Sequence, residues 1–268
     1  MIHFVYLHYG PSENLRRELK YSFLTLRRFL DPAQHRVAIY TDTPDLFAAW
    51  PVAIVSIAGK LNDYSAAGRF NHRIKLAVLG DALSRLGDTV LLDSDSIIFA
   101  GFPASVADNL RHGAVMNRFE ARNPAPEFAG FETTLPHAGR YRYDPERSVM
   151  FNSGIIGATA AHAPVVEDAL ALVDTILARP IARETANRRE QIAMSEAFRV
   201  HGVAVGEIYD TFLHYWKRSW KRYADWRLSR ILPADWNDLT EPDVALTFKP
   251  AGIRFYAIRQ SLKKRVSR

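Results

Sequence analysis

The chain has 268 residues, 48% of them hydrophobic and 24% charged, an ordinary globular composition with room for one large α/β domain. It has no cysteine, which excludes disulfides and thiolate metal sites, and no apolar run approaches the ~18–20 residues that span a bilayer. The formal charge of +6 is segregated, with 22 Lys+Arg and 24 Asp+Glu in residues 1–213 but 13 and 5 in residues 214–268. A basic end of this kind suits an anionic membrane surface, an acidic substrate or plain solvation; nucleic acid, supported by the tail alone, is not expected as a partner. Residues 1–7 lack a basic n-region and a small-residue cleavage site, so no secretory signal is expected and a cytoplasmic location is compatible.

Residues 2–8 are apolar and aromatic and read as a first strand, broken by Gly10-Pro11-Ser12. Ser12 caps a helix whose Leu15, Leu19, Phe23, Leu26 and Leu30 keep helical spacing, and residues 36–40 form a second strand closed by Thr41-Asp42-Thr43-Pro44. Strand, helix, strand at this spacing predicts a βαβ unit and a parallel sheet. Ligands bind outside the carboxyl ends of such strands, which draws attention to Tyr6, His8, Tyr9 and Asp42. The Thr-Asp-Thr-Pro segment also reads as an ordinary turn. Residues 52–57 suit a short third strand, and Arg69 to Lys75 opens an amphipathic helix continuing through Leu76, Leu79, Leu83 and Leu86.

That helix feeds the most informative stretch, residues 89–99, where Val90-Leu91-Leu92 runs into Asp93-Ser94-Asp95 before apolar residues resume. The apolar run predicts a strand buried on both faces, with the two carboxylates where it leaves the sheet. Residues two apart on an extended chain point the same way, so Asp93 and Asp95 converge on one object. A divalent cation carrying a phosphorylated ligand fits, because Mg²⁺ and Mn²⁺ prefer oxygen ligands; two solvated acids at a strand end is the bland alternative. Helix is expected over 104–110 and strand over 114–116, followed by residues 117–147 without periodicity. Residues 149–157 form a strand interrupted by Asn152-Ser153-Gly154, where Gly154 marks a close approach. Helices over 164–177 and from 188, and a strand over 203–208, lead to His214, Lys217 and Lys221.

The Asp93-Ser94-Asp95 stretch resembles the Asp-x-Asp motif of GT-A glycosyltransferases, which holds the metal of a nucleotide-sugar. Further features resemble glycosyltransferase family 8 in the right order: Arg73 and Lys75 before the motif, Asn152-Ser153-Gly154 after it, then Glu190-Gln191 and His214. The family's Lys-Pro-Trp ending is missing, and Glu190 stands where Asp is commoner. The resemblance implies a single GT-A (Rossmann-like) α/β domain with a mixed, mainly parallel central sheet flanked by helices. It implies a metal-dependent transferase, retaining the anomeric centre, that moves a sugar from a nucleoside-diphosphate sugar (UDP-sugar favoured) to a glycan or lipid-linked acceptor of the cell envelope. Asp93, Asp95 and His214 would hold Mn²⁺ or Mg²⁺. Tyr6, His8, Asp42, Arg73, Lys75, Ser94, Ser153, Gly154 and Lys217 would bind the donor, and Asn152, Glu190 and Gln191 would be the catalytic residues beside its sugar. In such an enzyme residues 117–147 suit an acceptor-side lid, whose Arg118, Arg122, Arg140 and Arg142 meet either an anionic acceptor or water.

The domain is expected over 1–222, with 223–268 a basic aromatic extension packed on it or trailing. Trp220, Tyr223, Trp226 and Trp236 suit a membrane interface or a sugar-binding wall; residues 244–258 read as one or two strands and 263–268 as disordered. Two other readings stand beside the transferase. One is a haloacid-dehalogenase-type phosphatase with Asp93 as nucleophile and Asp95 as acid/base, whose motif would be expected nearer the N-terminus. The other is a non-catalytic carbohydrate- or membrane-binding protein on a degenerate transferase fold.

Overall fold

Seven strands form the central sheet of the computed structural model, which describes residues 1–248. The chain begins with β1 (Ile2–His8), α1 (Glu13–Arg27), β2 (His35–Thr41), β3 (Ala53–Ser56), the single turn α2 (Leu61–Tyr64), α3 (Arg73–Leu86) and β4 (Thr89–Leu92). Next come β5 (Ser96–Ile98), α4 (Phe102–His112), β6 (Ala114–Met116), β7 (Phe119–Arg122), β8 (Glu132–Leu135), β9 (Gly139–Arg142) and β10 (Val149–Phe151). β11 (Ile155–Ala158), α5 (Ala163–Leu177), the single turn α6 (Arg183–Ala186), α7 (Arg189–Val200), β12 (Val205–Glu207), β13 (Phe212–His214) and α8 (Arg218–Ile231) follow.

The sheet order is β3-β2-β1-β4-β11-β6-β12. β11 runs antiparallel to β4 and β6, and the other pairs are parallel. This is the mixed, mainly parallel α/β sheet expected from the sequence, in a Rossmann-like arrangement with helices on both faces. Strand alternation sorts the core into two layers. Phe4 and Tyr6 of β1 and Val90 and Leu92 of β4 pack with Leu19, Phe23 and Leu26 of α1. Val5 and Leu91 face the other way, into a layer with Leu76 and Leu79 of α3, Val166 of α5 and Ile192 of α7. Both faces of β4 are therefore apolar, and its strand reads as an unbroken hydrophobic run.

Three expectations change in detail. Residues 89–99 are two strands: β4 ends at Leu92, the chain turns through Asp93–Asp95, and β5 pairs with β13 outside the main sheet. Residues 117–147 carry structure of their own, because β7 pairs with β10 and β8 with β9 over a buried cluster of Phe128, Phe131, Tyr141 and Tyr143. Strands of three or four residues are too short to show a period, so the stretch reads as loop in sequence. Arg140 and Arg142 there pair with Glu132.

The boundary expected between residues 222 and 223 falls inside α8, which lies against α1. Tyr223, Ala224 and Leu228 are buried with Tyr21, Ile97 and Tyr215. Trp220 stacks on Phe248 and Trp236 on Trp50, so most of the aromatics considered for a membrane interface pack within the protein, whereas the neighbouring Trp216 is exposed. Residues 244–248 form no strand, and the rest of that expectation, with the tail 263–268, lies outside the described residues. Among the described residues no helix is long and apolar enough to cross a membrane.

Candidate functional site

Strand order reverses at β1: β2 and β3 lie on one side, β4 on the other, and the carboxyl ends of β1 and β4 meet at the gap. Open α/β sheets bind ligands at such a switch point. A cleft of about 810 Å³ opens there, within the range of small-molecule sites. His8 and Tyr9 line it at the end of β1, Asp93, Ser94 and Asp95 from the turn after β4, and Asn152, Ser153, Glu190, Gln191 and His214 from later segments.

Asp93, Asp95 and His214 form the cluster at its floor, with one ligand atom from each within 4.8 Å of the others. The antiparallel β5–β13 pair, which sets His214 opposite Ser96, brings residues so distant in sequence together. His214 Nε2 lies 3.2 Å from Asp95 Oδ1 and 3.5 Å from Asp93 Oδ2. Ligands about 2.1 Å from an octahedral ion stand roughly 3 Å apart at right angles, so the observed spacings suit a small divalent cation.

The imidazole's protonation supports that fit. Asn152 Oδ1 accepts from Gly154 N at 2.9 Å, which identifies it as the oxygen, and the amide nitrogen donates to Glu120 Oε1 at 2.8 Å. His214 Nδ1, 2.8 Å from that oxygen, must therefore carry a hydrogen. The Nε2 lone pair is then left facing two carboxylates, an arrangement that a cation or a second proton reconciles. The residues present thus fit a divalent ion. Gly154 has a related structural reason: a Cβ there would lie 2.3 Å from His214 Nδ1, so the ring packs directly on glycine backbone.

Two ammonium groups balance the acids. Lys75 Nζ, from the first turn of α3, lies 2.8 Å from Asp93 Oδ1 and donates to Ser153 O at 2.9 Å and Ser153 Oγ at 3.1 Å. Burial opposes its charge, but Asp93 and Glu190 outweigh burial and raise its pKa. Lys221 Nζ from α8 lies 2.8 Å from Asp95 Oδ2. Burial also opposes the Asp95 anion, yet Lys221, and His214 when its ring is protonated, hold the carboxyl well below the usual range. Below the acids, Tyr6 Oη pairs with Ser22 Oγ (2.9 Å), Ser22 Oγ with Ser96 Oγ (2.7 Å), and Ser96 Oγ donates to Asp93 O (2.7 Å).

Ten of the fifteen residues expected from sequence line the cleft: His8, Lys75, Asp93, Ser94, Asp95, Asn152, Ser153, Glu190, Gln191 and His214. The other five are placed elsewhere. Tyr6 is buried beneath the acid turn, and Gly154 lies under His214. Asp42 Oδ2 accepts from Gly10 N at 3.0 Å and ties the loop after β1 to the end of β2. Arg73 makes a bidentate pair with Asp174 of α5 at 2.7 and 2.8 Å and donates to the carbonyls of Asp63 and Tyr64, so its guanidinium is committed away from the cleft. Lys217 lies against the Trp220 ring, and Lys221, one helical turn on, reaches the acids instead.

Sequence reasoning missed Glu18. It is buried, with Oε2 3.8 Å from Lys221 Nζ. The signal was present: Glu18, Ser22 and Thr25 recur at helical spacing beside the apolar stripe of α1, and all three face the acid turn or β5. Burial pushes Glu18 up to about 8, with Lys221 countering and Asp95 adding to the rise.

No protein-family model and no curated protein matches the chain. Among solved structures it is similar to the apo form of mouse xyloside xylosyltransferase 1, at 12% identity and a TM-score of 0.47, over 77% of this chain and 84% of that one.

Proposed function

We propose that this chain is a metal-dependent glycosyltransferase that moves a sugar from a nucleoside-diphosphate sugar, UDP-linked by preference, to a glycan or lipid-linked acceptor. The observation that carries the reading is the convergence of Asp93, Asp95 and the Nε2 lone pair of His214 at the switch point of a parallel sheet. When bound there, Mn²⁺ or Mg²⁺ neutralises charge building on the leaving diphosphate. The protein's own groups set the geometry. Asn152 fixes the His214 tautomer, the Tyr6–Ser22–Ser96 chain holds the Asp93 carbonyl, and Lys75 orients the Asp93 carboxylate.

A hydroxyl-rich ligand suits the wall above. Glu190 Oε2 and Gln191 Oε1 are buried acceptors with no hydrogen-bond partner among the described residues, and sugar hydroxyls supply the missing donors. Gln191 beside the anomeric carbon accords with a retaining hexosyltransferase. In the phosphatase alternative Asp93 would be the nucleophile, but both of its oxygens lie within 2.9 Å of the Lys75 ammonium.

The acceptor's location is proposed from charge: the basic residues of 214–268 draw the enzyme to the anionic inner face of a membrane. Salt-reversible co-sedimentation with anionic but not neutral vesicles supports this, and equal partitioning to both overturns it. For the activity itself, nucleotide-sugars are screened for Mn²⁺-dependent hydrolysis. The proposal requires turnover with at least one donor and its loss in Asp93→Asn and Asp95→Asn with the fold intact. Turnover that is unaffected by these changes or by chelator overturns it.

A further inference from the structure

The two acids at the cleft floor are each already matched by an ammonium group: Asp93 by Lys75 and Asp95 by Lys221. The matches differ in kind. Lys75 is anchored, with a side chain only 10% exposed, the Asp93 carboxylate on one side and Ser153 on the other. Lys221 is not: its side chain is 39% exposed, and its contacts are Asp95 at 2.8 Å and Glu18 at 3.8 Å. It rises from the first turn of α8, over a flexible four-carbon stem, and also lines the open cleft.

A cation entering the floor therefore meets two acids already held by ammonium groups, and it competes with Lys221 for Asp95. A diphosphate changes that balance. It brings negative charge to the same spot and offers the ammonium a stronger partner than a shared carboxylate. We infer that Lys221 is a movable internal counter-ion: it occupies Asp95 in the empty site, yields to the divalent ion, and transfers to the diphosphate. Glu18 lies buried on the far side of the ammonium, 3.8 Å from it. The consequence is cooperative binding, in which cation and diphosphate each bind weakly alone and strengthen one another. The inference rests on the cation reading of Asp93, Asp95 and His214.

The test measures binding without turnover. Mn²⁺ alone is titrated into the full chain by electron paramagnetic resonance, and inorganic pyrophosphate is titrated calorimetrically with and without Mn²⁺. Lys221→Met removes the competing charge, so Mn²⁺ alone should bind about five-fold more tightly, the scale of a half-exposed ion pair. Pyrophosphate should bind more weakly to the Mn²⁺-loaded variant, and the mutual strengthening should shrink. Lys221→Arg should keep the wild-type pattern, and Lys221→Gln serves if the methionine variant does not fold. Unchanged or weaker Mn²⁺ binding in Lys221→Met and Lys221→Gln overturns the counter-ion role while leaving the cation reading intact. Failure of the folded wild type and variants alike to bind Mn²⁺, with or without pyrophosphate, overturns both.

Discussion

Replacing Gly154 by alanine tests the cation site through one added methyl group. The new Cβ would lie 2.3 Å from His214 Nδ1, 2.5 Å from Cγ and 2.9 Å from Cε1. Ordinary contact begins at 3.4 Å, so ring and backbone must separate by about 1.1 Å at the tightest point. Metal–ligand distances tolerate about 0.2 Å, and the hydrogen bond to Asn152 is lost in the same movement. Mn²⁺ affinity should therefore fall by about 10- to 100-fold, as when the partner of a ligating histidine is removed. Overpacking of this kind costs about 1–3 kcal/mol of stability. Paramagnetic resonance titration reads the first effect and thermal unfolding the second. The double change Gly154→Ala with His214→Ala supplies the control, because removing the ring removes the clash. Adding Gly154→Ala to His214→Ala should cost no further Mn²⁺ affinity and little stability. Wild-type Mn²⁺ affinity in Gly154→Ala, or an equal loss with His214 already absent, refutes the reasoning; the second result would place a ligand, not the imidazole, against the glycine.

Other changes separate roles inside the cleft. Arg73→Ala should lower stability by about 1 kcal/mol, as expected for a half-exposed pair with Asp174, and leave pyrophosphate affinity unchanged by calorimetry. Asn152→Ala releases His214 Nδ1 and should weaken Mn²⁺ binding about 10-fold or more by titration, whereas Gln191→Ala should lower turnover without altering affinity for a free nucleoside diphosphate. Glu18→Gln should flatten the dependence of stability on pH in denaturant titrations. The folded state holds the Glu18 proton up to about 8 while the unfolded chain releases it near 4.5, so the native protein binds more protons between those values and loses stability as pH rises through them.

The acids and the late histidine were legible in sequence because their chemistry depends on residue type and on where strands end. Asp93 and Asp95 follow directly on a short apolar run that reads as a buried strand, and His214 follows a strand expected over 203–208. Arg73 and Lys75 show the limit of such reading. They sit two residues apart on one helix, about 200° around its axis, so one reaches the cleft and the other Asp174. Sequence supplies both cations, but only the packing of α3 between α5 and the sheet decides which faces inward. The same holds for Lys217 and Lys221, where a helix not expected from the sequence begins at residue 218 and carries the second lysine to the acids. Glu18 was hidden because the apolar stripe of α1 dominates its pattern and masks the polar stripe beside it.

The pairing of β5 with β13 spans only three residues on each strand and stands apart from the large sheet. A three-residue pairing has few ladder hydrogen bonds of its own and is held mainly by the burial of Ile97, Ile98 and Phe212. Yet this one joins the turn holding both acids to the segment holding the imidazole, and α8 begins four residues beyond it. An ion held by Asp95 and His214 would act as a staple across that seam, fastening β13 to the turn after β4. The amide protons of residues 212–215 would then exchange with solvent far more slowly once the staple is in place, while those of β1 and β4, held by the main sheet, would hardly change. Occupancy of the cleft would thus register as rigidity at a fold seam, from the turn after β4 to the start of α8.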